Sequence, residues 1–426
     1  MRFELLHPRE QLVHIMDRIY RYGLTTTSGG NLSVLEEDGT LWITPSAVDK
    51  GSLRPTDIMR IDPDGSVAGP HQPSSELPFH QTIYARRPDV RAIVHAHSPY
   101  LMSFSIARRI PDTRIIPQAH HVCGMVGYAP YALPGSPQLG EVIADTFAQG
   151  YDVVLLENHG VVTVGPDLLT AFQRLETLDF CAKTQIMAGR LGPLFILTDE
   201  QIARFEAPPP PLPTFTPARP SSRERELRAE ICRFVHRAYE QRLMTSTEGT
   251  MSARLGQDAF LITPYGIDRR YIDVEDIVLI QDGQAEEGKR PSRAVNLHRR
   301  IYADHPDIAC IVTAQSPHAM AFAVTRRPLD TTTIPESYVV LRKVPLVPHG
   351  RVYLAPETIS AAITPQSPTL LIENDTVLAT GKSIHQAFDR LEVVDFTAMA
   401  VLNALAIGPI IPIGEREISE LEQHFA

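Results

Sequence analysis

Two histidines one residue apart, His95 and His97, close the apolar run VRAIVHAHSP (90–99). In an extended strand residues two apart project from the same side, so both imidazoles point together and Ala96 points away. Paired imidazoles are natural ligands for a divalent transition metal; two hydrogen-bonded histidines at a strand end are the plainer alternative. Two more donors favour the metal. Glu76 stands at the expected start of a helix in P-S-S-E (73–76), and His159 follows an apolar strand in E-N-H-G (157–160). Three imidazoles and a carboxylate suit zinc (Zn2+) first, with Mn2+, Co2+ and Fe2+ as alternatives. Such a centre carries a formal charge of about +1, which favours an anionic oxygen on the substrate.

The chain carries this segment twice. IACIVTAQSP (308–317) keeps the apolar frame and the Ser-Pro ending but has Thr313 and Gln315 in place of the histidines. The positions matching Glu76 and His159 are Ala294 and Asp375. All four donors change as a set while the frame stays. Core packing does not require that pattern; a shared ligand does. His298 and His318 do not fall at ligand positions and read as structural.

The repeat extends far beyond this segment. LWITPSAVDKGSLRPTDIM (41–59) matches FLITPYGIDRRYIDVEDIV (260–278), and AFQRLETLDF (171–180) matches AFDRLEVVDF (387–396). TTSGGNLSVL (26–35) corresponds more loosely to STEGTMSARL (246–255). A near-constant offset over so many residues is a duplicated domain, not a short solenoid unit. Between the copies lies APPPPLPTFTPARPSS, whose prolines supply no backbone donors and stay extended. The expected organisation is a metal-binding domain at 1–206, a semi-rigid linker at 207–222 and a second domain without metal ligands at 223–426.

Each copy opens with an amphipathic helix: Leu12, Ile15, Met16 and Ile19 share one face, as do Leu227, Ile231 and Val235. Short strands follow near 41–44 and 58–61, then a helix near 76–86 and a buried strand at 90–97. A strand at 153–157 leads to the Asn158-His159-Gly160 turn, and a long helix near 167–188 closes the domain. Helices alternating with short apolar strands indicate an α/β sandwich.

The 426 residues fit two domains, and 43% hydrophobic with 21% charged residues lets each bury a core. A net charge of −10 argues against a general nucleic-acid binder. Four scattered cysteines without a C-x-x-C read as reduced, buried thiols of a cytoplasmic protein. The N-terminus lacks a signal-peptide layout, and no apolar run approaches the roughly 20 residues that span a bilayer. No membrane partner is expected.

G-G-N-L-S (29–33), I-T-P-S (43–46), P-S-S-E, H-A-H (95–97) and E-N-H-G, in this order, resemble the class II aldolase/adducin family (L-fuculose-phosphate aldolase-like). The likeness spans nearly all of 8–200 and, in degraded form, 224–410. It implies an α/β fold with two tandem α/β/α sandwich domains. By that resemblance Glu76, His95, His97 and His159 hold the metal, and Glu76 is also the general base. Gly30, Asn31, Ser46, Ala47, Ser74 and Ser75 would hold a phosphate. Hydroxyls and amides at a helix start form an anion site, and glycine lets backbone approach an anion; plain N-capping and an ordinary tight turn are the alternatives. The family's proton-donating tyrosine has no clear match in PQAHHVCG (117–124). His120 or His121 would replace it or bind a carboxylate, unless both are solvated loop histidines. Tyr338, in PESYVV (335–340) of the second copy, falls near the expected position and would be lent to the first domain's site. Family members are commonly ring-shaped tetramers, so a tandem homo-oligomer, a dimer mimicking that tetramer, is expected.

The resemblance implies a metal-dependent lyase of the aldolase type, acting on a hydroxyketone or sugar phosphate through a metal-stabilised enediolate. A decarboxylase of a keto or aromatic acid, an epimerase or dehydratase, and a non-enzymatic adducin-like scaffold are the alternatives. The substrate would be a small molecule, phosphorylated or carboxylated.

Overall fold

The structure, a computed structural model, describes residues 2–207 and 211–425; residues 208–210 of the expected linker lie outside them. The chain separates into two compact units. One holds Met1–Thr113 with Ala119–Lys183, the other Arg114–Gln118 with Thr184–Ala426.

The first unit is built on an eight-stranded sheet. Its strands are β1 (Asn31–Leu35), β2 (Leu41–Ile43), β3 (Met59–Ile61), β4 (Val67–Ala68), β5 (Ala92–Ala96), β6 (Val126–Ala129), β7 (Val153–Leu156) and β8 (Gly160–Gly165). They run β4-β3-β2-β1-β5-β8-β7-β6, antiparallel except for the β6–β7 pair. The central strand β5 is buried throughout, as its unbroken apolar run requires. On one face α2 (Leu77–Arg86) and the helix Pro137–Phe147 cover a core of Ile43, Phe79, Ile83, Ile93, Ile143 and Phe147. The opening helix, α1 (Pro8–Arg21), buries Leu12, Ile15, Met16 and Ile19 completely, as their spacing predicts. Its Arg18 stacks 4.3 Å over the Phe172 ring of the long helix Leu168–Ala188.

The second unit repeats this plan with nine strands: β9 (Thr214–Phe215), β10 (Thr250–Arg254), β11 (Ala259–Ile262), β12 (Val278–Gln281), β13 (Gln284–Glu286), β14 (Cys310–Ala314), β15 (Leu346–Val347), β16 (Thr369–Ile372) and β17 (Thr376–Gly381). Its order is β15-β16-β17-β14-β10-β11-β12-β13-β9. The added edge strand β9 comes from the proline-rich segment. Pro213 cannot donate, but its carbonyl accepts from Ala285 N–H at 2.8 Å, and an edge strand needs partners on one side only.

Strand register corrects one match between the copies. Asn31 pairs with His95 in the β1–β5 ladder, and Thr250 pairs with Thr313 in the β10–β14 ladder. Asn31 therefore corresponds to Thr250, and Gly30 to Gly249, one residue away from the match between TTSGGNLSVL and STEGTMSARL. The repeated L-E-x-x-D-F also gains a reason. Asp179 accepts from Ser98, the cap of the helix after β5, and Asp395 accepts from His318 N–H at 2.9 Å after β14. Each acid from the long closing helix ties down the chain where it leaves the central strand.

The four cysteines are buried free thiols. No helix among the described residues is long and apolar enough to cross a membrane.

Candidate metal centre

β5 ends at Ala96, and His95 and His97 straddle that end. His95 lies on the face covered by α2, its ring edge-on to Phe79 with centroids 5.6 Å apart. The β7–β8 turn brings His159 to the same place. That turn holds Asn158 in the left-handed region (φ 55°) and brings Gly160 so close that a Cβ there would meet Ala96 O at 2.6 Å. Glu76 caps α2, with Pro78 in the first turn where its missing N–H costs nothing.

The side chains converge. His95 Nε2 lies 3.3 Å from Glu76 Oε2 and 3.0 Å from His97 Nε2. His159 Nε2 lies 3.2 Å from Glu76 Oε1. One nitrogen from each histidine lies within 4.8 Å of the others. His95 Nδ1 meets Val161 O at 2.9 Å; a carbonyl only accepts, so Nδ1 carries the proton. Burial pushes the His95 imidazole down to about 3, so it stays neutral and its Nε2 presents a lone pair. That lone pair faces a carboxylate oxygen, a repulsive arrangement that a cation between them would make attractive. The donor set and its arrangement therefore fit a divalent metal, with the second ring nitrogen of His95 fixed by backbone as such ligands require.

Burial alone would raise the Glu76 carboxyl. The His95 ring beside it, then hydrogen bonds from His159 and Asn31, outweigh that and hold Glu76 well below the usual carboxylate range.

Behind Glu76 runs a chain of hydrogen bonds. Asn31 Nδ2 donates to Glu76 Oε2 at 2.7 Å, which leaves Asn31 Oδ1 to accept from His80 Nε2 at 2.5 Å. Burial pushes His80 down to about 3, so its Nδ1 is an acceptor for the Ser33 hydroxyl at 2.7 Å. Tyr84 OH completes the chain onto Ser33 Oγ at 2.7 Å. The acceptor-only carboxylate sets the direction of every proton in it.

The expected anion residues gather from three segments. Pro45 bridges Pro73, Ser46 N–H donates to Gln72 O and Ser74 N–H to Thr44 O, so 44–47 and 72–76 lie side by side. Ser74 Oγ accepts from Glu76 N–H at 3.3 Å, a local turn ahead of the helix and not a helix cap, while Ser75 is exposed. Ala47 is held at φ 55°. At Gly30 (φ +70°) a Cβ would lie 2.6 Å from His95 O. Lys50, passed over in the sequence, is 3% exposed and donates from Nζ to Pro45 O at 2.5 Å. It makes no ion pair among the described residues, and burial pushes it down to about 8.

The other expected residues stand differently. His120 and His121 lie on the helix Pro117–Cys123, not in a loop. His120 Nδ1 pairs with Thr113 Oγ1 at 3.0 Å, and His121 is exposed. Tyr338 OH donates to Glu422 at 2.6 Å within its own unit. Sequence reasoning missed Ser33, His80, Tyr84 and Lys50; the signal for two of them was Glu76, His80 and Tyr84 recurring every fourth residue on one helix face.

In the second unit Ala294 again occupies the helix cap, and Ser252, His298 and Tyr302 reproduce the Ser33, His80 and Tyr84 contacts at 2.7 and 2.8 Å. The relay persists where the four converging donors are gone.

The chain is similar in sequence to several known proteins. A 3-oxo-tetronate 4-phosphate decarboxylase from Haemophilus influenzae is 35% identical over 182 residues, 42% of this chain and 86% of that one. An L-fuculose phosphate aldolase from Methanocaldococcus jannaschii is 34% identical over 180 residues, 42% of this chain and 96% of that one. A solved structure of an L-fuculose 1-phosphate aldolase is 32% identical, covers 46% of this chain and 93% of its own, and superposes with a TM-score of 0.43. The family described as Class II Aldolase and Adducin N-terminal domain matches both residues 10–186 and residues 229–402. The chain belongs to that family and carries its domain twice.

Proposed function

We propose that the chain is a divalent-metal-dependent carbon–carbon lyase of the aldolase type, acting on a small phosphorylated hydroxyketone. The observation that carries this reading is the convergence of His95, His97 and His159 on Glu76, beside the 44–47 and 72–76 segments. Those four residues would hold the metal, zinc first. When bound, such an ion supplies Lewis-acid stabilisation of oxyanion charge next to the breaking bond.

The chain's own groups do the rest. Glu76 is ionised throughout the physiological range and therefore starts as a proton acceptor. Asn31, oriented by His80, holds Oε2 and leaves Oε1 toward His159. A phosphate placed over Ser46, Ala47, Ser74 and Ser75 would be the missing counter-charge for Lys50, whose ammonium lacks an acidic partner among the described residues. His120 and His121 remain our candidates for returning the proton to the departing fragment.

Decarboxylation of a phosphorylated keto acid is the second reading, favoured by the 35% identity to the Haemophilus influenzae decarboxylase. The same electron sink serves either leaving group. Incubating metal-loaded protein with dihydroxyacetone phosphate and an aldehyde, and separately with a phosphorylated β-keto acid, tests both. A new ketose phosphate supports aldol chemistry and released carbon dioxide supports decarboxylation. Neither product, with no bound metal, overturns the lyase reading.

A further inference from the structure

A tail follows the long closing helix of each copy. LGPLFILTDE (191–200) comes after the first and IGPIIPIGER (407–416) after the second, at the same distance from the helix end. The first tail belongs to the second compact unit, as does the segment Arg114–Gln118. Its contacts there are specific. Phe195 N–H donates to Val324 O at 2.9 Å, and Phe195 O accepts from Asn374 Nδ2 at 2.7 Å. The Asn374 amide also donates to Ile115 O at 2.9 Å, and Arg326 stacks 4.1 Å over the Phe195 ring. Arg327 Nε donates to Leu191 O at 3.2 Å. Val324 is wholly buried.

The first unit carries the same receiving face. Ile106 stands at the place of Val324, Arg108 at that of Arg326, and Asn158 at that of Asn374. Arg108 reaches Glu157 at 2.8 Å as Arg326 reaches Glu373 at 3.2 Å, and Asn158 (φ 55°) repeats the turn of Asn374 (φ 54°). Yet Ile106 is 61% exposed, and Arg108 and Asn158 are exposed with it. The second tail is exposed in its turn. Ile411, at the place of Phe195, is 84% exposed, and Ile407, at that of Leu191, 89%. Its far end is nevertheless fixed like the first: Ile413 N–H donates to Thr332 O at 2.8 Å, as Leu197 N–H does to Arg114 O at 3.0 Å. Scattered exposed isoleucines need no explanation, but these lie on two surfaces whose counterparts are already joined in the second unit.

We propose that the tail Ile407–Ile413 of one chain docks on the Ile106, Arg108 and Asn158 face of a second copy, which returns the same contact. Each chain offers one tail and one face, so two chains about a twofold axis satisfy both. Ile106 O accepts from the N–H of the partner subunit's Ile411, and Asn158 Nδ2 donates to the carbonyl of that residue. Asn158 immediately precedes His159, so the partner steadies the turn that brings His159 to Glu76. The family resemblance implies an oligomer; the repeat within one chain supplies the two surfaces.

Sedimentation velocity on the full chain tests this. It needs neither metal nor substrate, so its outcome stands apart from the lyase reading. The unaltered chain should sediment as a dimer. Ile411→Asp and Ile106→Asp, made separately, should each raise the dimer dissociation constant about 100-fold or more, because each places a charge in both contacts. Both side chains are exposed, so each variant should keep the circular dichroism of the parent. Mixing the two variants restores one of the two contacts, since one chain keeps its face and the other its tail, and the mixture should associate more tightly than either variant alone. A monomeric parent chain would overturn the proposal. So would a dimer that neither substitution weakens, or a mixture no tighter than its components.

Discussion

Glu76 and His80 lie one helical turn apart on α2, yet they are joined through a residue of another element: the Asn31 amide donates to the carboxylate and accepts from the imidazole. Asn31 thus holds Glu76 in one rotamer and satisfies a fully buried nitrogen at once. Asn31→Ala should cost about 1–3 kcal/mol of stability, because His80 Nε2 is left unpaired in the interior. Turnover should fall further than stability alone explains. Thermal denaturation and kcat on the same preparation measure the two effects. Full activity in a destabilised Asn31→Ala protein would show that the relay is structural only.

Glu76→Gln separates proton transfer from metal holding. Glutamine keeps the shape and can still accept from Asn31, and the three imidazoles remain. Turnover should drop by roughly 100- to 10,000-fold, the usual share of a positioned base. Metal content by elemental analysis should persist in substantial part. Chelation of the unaltered protein should abolish turnover, and added Zn2+ should restore it with a higher Tm, since an ion that binds only the folded state stabilises it. A Glu76→Gln enzyme with unchanged kcat would remove Glu76 from the chemistry.

The paired relay histidines fix the acid limb of stability. Burial holds both His80 and His298 near 3, whereas an exposed histidine titrates near 6.5. Below about pH 6.5 the unfolded chain takes up a proton at each position and the folded chain does not. Stability is therefore full above that pH and falls as pH drops toward 3, by about 1.4 kcal/mol per pH unit for each histidine. Urea midpoints of the metal-free protein between pH 7 and pH 5 measure it. His80→Gln should flatten the slope for the first unit alone, because His298 sits in the second.

Much of this is legible in the sequence alone. The opening helix face, the central apolar strand and the same-sided His95 and His97 follow from period alone, because burial imposes period. The coordinated loss of four donors in the second copy marked the four side chains that the structure brings together. What stayed hidden depends on register and on exceptions to burial rules. Ser33 and Asn31 meet His80 across 47 and 49 residues of chain, a contact that only the pairing of β1 with β5 creates. The shift that aligns Asn31 with Thr250 lies in a turn, where composition does not reveal one residue more or less. Lys50 was passed over because lysines are almost always solvated. His120 and His121 were given a loop as one alternative, although Pro117 ahead of them is a helix-starting residue.

Lys50 offers the sharpest view of substrate charge. Its ammonium is buried beside the 44–47 segment, bonded to Pro45 O, with no acidic partner among the described residues. A substrate phosphate arriving there would relieve the cost of an unpaired buried cation, and that relief would appear as binding. Lys50→Met keeps the apolar stem and removes the charge. It should raise KM for phosphorylated substrates roughly 10- to 100-fold, the worth of one charge-assisted hydrogen bond, and leave phosphate-free analogues within about twofold. Steady-state kinetics with the two substrate sets read the difference directly. A uniform loss across both sets would mean that Lys50 only props the Pro45 turn, and the anion would then belong to the serine hydroxyls alone.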